Sequence, residues 1–525
     1  MSASPAVHEP ATDPPVLSQR QLWIILGSLM LGTVLAALDT TIVSTALPTI
    51  TGKLGGFSSY AWVGTSYILA STIATPILGK LGDLFGRRRV VLSAITIFLV
   101  GSLLCGLSRN MTELIFARGV QGLGGGGIQA LTFAILGDLV SPRERGRYMG
   151  MYTGAYAASA VIGPLVGGWM IDHFAWQWIF LFNVPVAALA LVFISATLRF
   201  PFRRRAVEID FLGAGLLSAA LGSLVVGLER GRSGWLRTPV VALFLLSAIA
   251  IALFVGQERR SAEPLLPLRL FRNRVFAVSS ALGFLAGTFA YGAQQFLPLQ
   301  FQDANFVTPT RAGLYVAPIM VGVMLGSGIG GRLIARTGRY KIFPIIGFGL
   351  ATLGVAVVSR IGPHTSFLVL VLPMLGMGIG MGSTFTTSSI ASQNAIDPKD
   401  IGVGTAALVA QRTLGGSIGL AVYGTIFTLT VRDHLAATVP VGALSQGTPL
   451  TRLLREPAKI KALAPAVRNA VVDSISRATG RVFLIATPVA VVAFVLATRL
   501  PELPLRTTSG AITSAPDELL QPVHK

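Results

Sequence analysis

Fourteen stretches of roughly 20 apolar residues recur along this 525-residue chain, and a run of that length crosses a bilayer core of about 30 Å as one helix. Backbone amides in lipid must find their partners inside their own helix, so runs of this kind dictate an all-α integral membrane protein. They fall near 22–46, 58–78, 90–108, 112–139, 147–170 and 179–198, then 209–228 and 238–256, then 274–299, 312–334, 342–360, 366–390, 402–430 and 481–499. The spacing predicts six spans, two inserted spans, and six again. Only 12% of the residues are charged against 52% hydrophobic, a balance outside the range of soluble domains.

The charge that remains is one-sided, with 42 Lys and Arg against 22 Asp and Glu and a net of +20. Its placement decides its meaning. Lys80 and Arg87, Arg88 and Arg89 follow span 2; Arg143, Arg145 and Arg147 follow span 4; Arg203, Arg204 and Arg205 follow span 6; Arg259, Arg260, Arg269, Arg272 and Arg274 follow span 8; Arg332, Arg336, Arg339 and Lys341 follow span 10. Cations concentrated in alternate loops mark the cytoplasmic side, which puts both termini inside and the chain in the cytoplasmic (inner) membrane. Arg230, Arg232 and Arg237, after span 7, are an exception. Short basic loops without interleaved aromatics exclude a nucleic-acid partner. A single cysteine, Cys105, and five scattered histidines exclude a disulfide framework and a metal centre.

Met1 to Arg20 is rich in Pro and Ala, carries Glu9 and Asp13, and lacks the basic start and cleavage site of a signal peptide, so it reads as a disordered cytoplasmic tail. The resulting organisation is a tail at 1–20, a six-helix bundle at 21–200, two linker helices at 201–258, a second bundle at 259–500 and a cytoplasmic tail at 501–525. The segment 431–480 is expected outside. Within it Ile460, Leu463, Val467, Val471 and Ile475 recur at helical spacing among Lys459, Lys461, Arg468 and Arg477, the pattern of an amphipathic helix at the membrane surface. An interfacial lid is preferred over a docking site for an extracytoplasmic partner.

The halves repeat. Gly79-Lys-Leu-Gly-Asp83-Leu-Phe-Gly86-Arg87 aligns with Gly331-Arg-Leu-Ile-Ala335-Arg-Thr-Gly338-Arg339, a step of 252 residues that also carries Gly163 and Gly167 onto Gly415 and Gly419, and Gly124 and Gly126 onto Gly376 and Gly378. Three blocks at one offset imply duplicated bundles, the plan of an alternating-access transporter.

The loop Gly79 to Arg89 resembles the signature loop of the major facilitator superfamily. Leu38-Asp39-Thr40-Thr41 through Pro48 is similar to the first-helix motif of its fourteen-helix drug:proton antiporters, with Ser44 where that pattern has Asn. Arg118-Gly119-Val120-Gln121-Gly122 resembles the fourth-helix motif, Gly154 through Gly163-Pro164-Leu165-Val166-Gly167-Gly168 the antiporter motif of the fifth helix, and Trp176 to Pro185 the approach to the sixth, with Gln177 in place of Arg. The resemblance spans about 20–500. It implies a major facilitator fold with 14 transmembrane helices, no cofactor, and transport driven by the proton gradient.

A carboxylate in the middle of a membrane helix is costly to keep ionised, so Asp39 is the candidate proton carrier. Arg118 needs an acceptor, such as Asp39, a carbonyl or a substrate group; it either tunes Asp39 between states or braces helices. Arg412, in span 13, reads as structural. Gating candidates are Gly79, Asp83, Gly86, Arg87 and Arg88 in the loop, where Asp83 among arginines can latch the bundles, and Gly154, Gly163, Pro164, Gly167 and Gly168 in span 5, where close contact and a proline kink can form a gate. Substrate-contact candidates combine apolar bodies with polar handles: Trp62, Tyr67, Tyr152, Tyr156, Tyr291, Gln294, Gln295 and Phe385. Tyr291 lies 252 residues after Asp39, in a half without a midspan acid.

These residues point to a non-enzymatic, monomeric antiporter exporting hydrophobic, often cationic drugs, as the resemblance to multidrug efflux and antibiotic-resistance proteins of bacteria implies. A dedicated exporter of one natural product, lipid or metabolite is the alternative, and a non-transporting scaffold a more distant one. No G-x-x-x-x-G-K-[ST] loop is present for ATP drive.

Overall fold

The computed structural model describes residues 19–54, 60–140, 142–198, 210–231, 234–261, 264–307, 309–439, 460–461 and 463–506. Of the expected tails, 1–18 and 507–525 lie outside these residues, as do Arg203 to Arg205 and the side chains of Ser44 and Pro164; the start of the second tail, 501–506, is packed on the second bundle, where the Leu503 N–H donates to Tyr340 Oη at 2.9 Å. Fifteen α-helices and no strand occur among the described residues. They are α1 Gln19–Leu54, α2 Tyr60–Phe85, α3 Arg87–Leu107, α4 Met111–Leu139, α5 Pro142–His173, α6 Trp178–Leu181, α7 Asn183–Thr197, α8 Phe211–Gly231, α9 Thr238–Glu258, α10 Arg274–Leu299, α11 Pro309–Thr337, α12 Ile342–Val358, α13 Phe367–Ala395, α14 Ile401–Thr438 and α15 Pro465–Thr498.

Eleven segments, with α6 and α7 counted together, are long and apolar enough to cross a membrane. The helix α12 is apolar but shorter. The helices α4 and α5 are long enough, yet Arg118, Gln121 and Gln129 in one and the polar start of the other, Arg143 to Arg147, dilute their hydropathy. Large apolar side chains also cover the outside, among them Phe116, Leu245, Leu353, Leu368 and Leu372. Apolar surface on the outer faces as well as in the core is what lipid requires of a bundle.

The same pairings build both halves: α2 with α4, α3 with α4 and α1 with α5 in the first, α11 with α13, α12 with α13 and α10 with α14 in the second. The halves meet where α5 packs on α11 and α2 on α14. The hairpin α8–α9 lies beside that seam, with Leu217, Leu221 and Phe254 against Ile73 and Leu414.

Geometry supports the repeat and corrects its register. Gly86 and Gly338, 252 residues apart, both adopt positive φ, 90° and 71°, which a side chain at Cβ would strain. The helices α4 and α13 are instead offset by 256, each 29 residues long and following its cap residue, Asn110 or Ser366. Gly122 and Gly126 press on the backbone of Tyr67 and Ser71, whereas Gly378 and Gly382 press on Ile319 and Val323. The partners differ by 252 and the glycines by 256. Gly122 and Gly126 therefore correspond to Gly378 and Gly382, so Gly124 and Gly126 do not map onto Gly376 and Gly378. Four extra residues add about one helical turn and leave the packing face unchanged.

The expected surface helix is not separate. Residues 465–498 form one continuous α15, Ile460, Val471 and Ile475 are fully buried in the second bundle's core, and Leu463 and Val467 pack against it. The apolar stripe faces protein instead of the membrane surface, and α14 extends to Thr438, so the stretch between the helices shrinks to 439–464.

Candidate functional site

Asp39 is buried in the middle of the first bundle, 1% exposed. Its Oδ2 meets Arg118 Nη1 at 2.5 Å, and its Oδ1 accepts from Gln121 Nε2 at 2.9 Å and Asn183 Nδ2 at 2.7 Å. Helices α1, α4 and α7 each supply part of the set. Three donors around two oxygens fit a carboxylate without its proton. Gln121 is itself held, donating to Ser102 Oγ at 2.7 Å and accepting from Arg118 Nη1 at 2.6 Å. The Arg118 guanidinium lies 4.4 Å from the centre of the Tyr67 ring, an attraction that adds to the ion pair. Sequence reading singled out Asp39 and Arg118 but missed Gln121, Asn183 and Ser102; the signal was there in midspan amides, which lipid does not tolerate without partners.

Gly163 abuts Thr41 and Gly167 abuts Ile42, so these glycines bring α5 onto α1 beside Asp39 and do not face the other bundle. Gly168 has open space, and α5 runs as one helix through position 164. Gly154, in contrast, faces Met324 of α11 across the seam.

At the end carrying the basic loops the halves are joined. Asp83 accepts from the backbone N–H of Val403 at 3.0 Å, at the N-terminus of α14, and pairs with Arg87 at 2.9 Å. A carboxylate at a helix N-terminus is favourably placed. Arg87 also pairs with Asp138. Gly79 lies against Ala406, and no side chain fits between them. Arg145 is buried and bridges the halves a second way, donating to Gln393 Oε1 at 2.7 Å and to the carbonyls of Gly137 and Val140 that end α4. Gln393 donates to Thr405 Oγ1 at 2.8 Å. The seam is thus closed at this end. Arg88 takes no part, since it donates to Ser195 O at 2.7 Å in its own half.

The substrate candidates divide. Tyr152 is buried and donates to Leu26 O at 3.1 Å, a brace inside the first bundle. Trp62 is half-buried, and Gln294 and Gln295 are exposed. Tyr156 is exposed, and it, Tyr67 and Tyr291 lie near enough to interact electrostatically. Tyr291 packs on Gly416 of α14, within its own bundle. Phe385 lies beneath Arg412, 4.7 Å from ring centre to guanidinium. Among the described residues no three His, Cys, Asp or Glu side chains are grouped to hold a metal.

Two duplicated helical bundles, a buried ion pair in one and a polar latch across their seam define a membrane transporter. The chain belongs to the Major Facilitator Superfamily, which it matches over residues 29–420. Members carry small molecules, are not enzymes and need no cofactor. An uncharacterized MFS-type transporter of Mycobacterium tuberculosis is 35% identical over 493 residues, 94% of this chain and 71% of that one. The multidrug transporter protein MdtP of Bacillus subtilis is 35% identical over 414 residues, covering 78% and 76%. The proton:xylose symporter XylE shares the fold at a TM-score of 0.61 and 13% identity, covering 93% of this chain and 97% of that one.

Proposed function

We propose that the protein is a proton-coupled antiporter of the fourteen-helix drug:proton type, exporting hydrophobic drugs or toxic compounds, cationic ones among them, by alternating access. In this reading α6 and α7 form one crossing, α4, α5 and α12 cross as well, and the basic loops and both termini lie on the cytoplasmic side of the inner membrane. The bundles occupy 21–200 and 259–500, with 201–258 between them. The observation that carries the reading is the set Asp39, Arg118, Gln121 and Asn183, a carboxylate of α1 stabilised by donors from two further helices, α4 and α7, at mid-membrane. Proton uptake at Asp39 removes its charge and loosens Arg118; proton release restores the pair. A step that makes and breaks a buried pair changes the packing of α1 on α4 and links protonation to the motion of the bundle. A relative named as a multidrug transporter supports the substrate class.

The test is dye extrusion into everted vesicles energised by respiration. Asp39→Asn at normal membrane levels should abolish the extrusion that an uncoupler collapses in the wild type. Intact proton-driven efflux in that variant overturns the mechanism.

A further inference from the structure

Beside the Asp39 cluster the membrane interior holds a second cation with a different environment. Arg412 sits eleven residues into α14, roughly 16 Å along the helix at about 1.5 Å per residue, and is half-buried. Among the described residues its guanidinium makes no hydrogen bond or ion pair; the Phe385 face covers one side. Arginine stays protonated in any protein environment and carries five donors. A guanidinium at this depth without an acceptor is the arrangement that membrane proteins avoid unless something else supplies the acceptor.

That guanidinium lines a narrow cavity at the seam, with Phe133 and Met149 from the first bundle and Phe385, Ser388 and Thr405 from the second. Ser388 is 5% exposed, and its hydroxyl has no partner. Thr405, Leu408, Val409 and Arg412 follow one face of α14, and Phe385, Ser388 and Ser389 one face of α13. The floor is the latch itself, since Thr405 accepts from Gln393, which Arg145 binds from the other half.

We propose that this cavity is a subsite for the anionic group of an amphipathic aromatic substrate, a carboxylate or sulfonate held by Arg412 and Ser388 with its apolar body against Phe133 and Phe385. The inference rests on the exporter reading and adds to its substrate class: this subsite takes anions and zwitterions, and a cationic substrate gains nothing from it. An anion there neutralises Arg412 directly above the latch, so occupancy and opening of that end are coupled.

The experiment is calorimetric titration of the purified full-length protein in detergent with 2-naphthoate, 2-naphthylmethanol and 2-naphthylmethylammonium, which share one ring system. Wild type should bind naphthoate about tenfold or more tightly than the alcohol, and the ammonium most weakly, as a charge-assisted bond requires. Arg412→Gln should bring naphthoate down to the alcohol while leaving the alcohol unchanged, and Arg412→Lys should keep part of the preference. Ser388→Val, which leaves the charge in place, should lower naphthoate affinity a few-fold. Equal binding of acid and alcohol by the wild type, binding of neither, or a preference that survives Arg412→Gln overturns the subsite. Because binding is read without transport, loss of the proton mechanism at Asp39 leaves this acid preference standing. Intact proton-driven efflux with equal binding removes the subsite alone.

Discussion

Gln121 in α4 and Met377 in α13 occupy matching places in the two halves, 256 residues apart. Gly101 packs on Gln121 and Gly354 on Met377, and Gln121 in addition hydrogen-bonds Ser102. Arg118 corresponds in the same way to Met374, which is fully buried. One packing scheme therefore encloses a polar network in the first bundle and thioethers in the second. Thioether side chains fill space without requiring partners, so these two positions of the second bundle call for no buried acceptor.

Removing one partner of the buried pair leaves the other uncompensated. Arg118→Met should destabilise the purified protein by about 3–5 kcal/mol, read as a fall in its thermal midpoint. Adding Asp39→Asn to Arg118→Met removes the stranded charge, so the double variant should melt well above the single one. Additive losses would show that the two side chains do not act as a pair.

Close helix contact makes some glycines irreplaceable and others idle. A Cβ at Gly378 would collide with the Ile319 carbonyl and Gly322 in α11, and neither backbone can rotate away. Gly378→Ala should cost about 1–3 kcal/mol. Gly119 has nothing within 4 Å of the same position, and Gly119→Ala should change stability by less than about 0.5 kcal/mol. Thermal melts of the two variants side by side decide it.

The latch makes the closed end a population that mutation can shift. Asp83→Asn removes the ion pair with Arg87 and weakens the bond to Val403, a charge-assisted interaction of about 1.5–3 kcal/mol. A Ser389→Cys reporter in a Cys105→Ala background lies in the seam cavity above the latch and is 8% exposed as serine. Its labelling by a maleimide should accelerate about tenfold or more when Asp83→Asn is added. An unchanged rate would mean that Asp83 does not hold that end shut.

The legible part of this molecule is the part written in hydropathy and backbone constraint. Apolar runs locate the spans because lipid leaves the backbone no other solution, and Gly86 and Gly338 announce the repeat because the turn at each needs positive φ. Asp39 and Arg118 stand out because charge is scarce at that depth. What escaped depends on facing, which a one-dimensional pattern does not carry. Gly163 and Gly167 suited a gate by composition and turn out to face α1. Val471 and Ile475 form an amphipathic stripe that suits a membrane surface or a protein core equally, and only the burial against the second bundle decides between them. For Arg412 the sequence favours a structural role, and that no hydrogen bond or ion pair reaches its guanidinium among the described residues is a three-dimensional fact.

Tyr67 faces the buried pair through Arg118, and its two chemical parts can be separated. Its ring faces Arg118 at 4.4 Å, and its hydroxyl lies against Gly125, with Tyr156 and Tyr291 near enough to interact with it electrostatically. Tyr67→Phe keeps the ring face over the guanidinium, whereas Tyr67→Leu removes it, a loss of about 1–2 kcal/mol for a desolvated cation–π contact. If the ring is what holds Arg118 toward Asp39, the Phe variant should keep proton-driven dye efflux near the wild-type rate and the Leu variant should lose most of it at equal membrane levels. Equal activity of the Phe and Leu variants would remove the ring from the coupling path and leave the hydroxyl, or neither part, as the link.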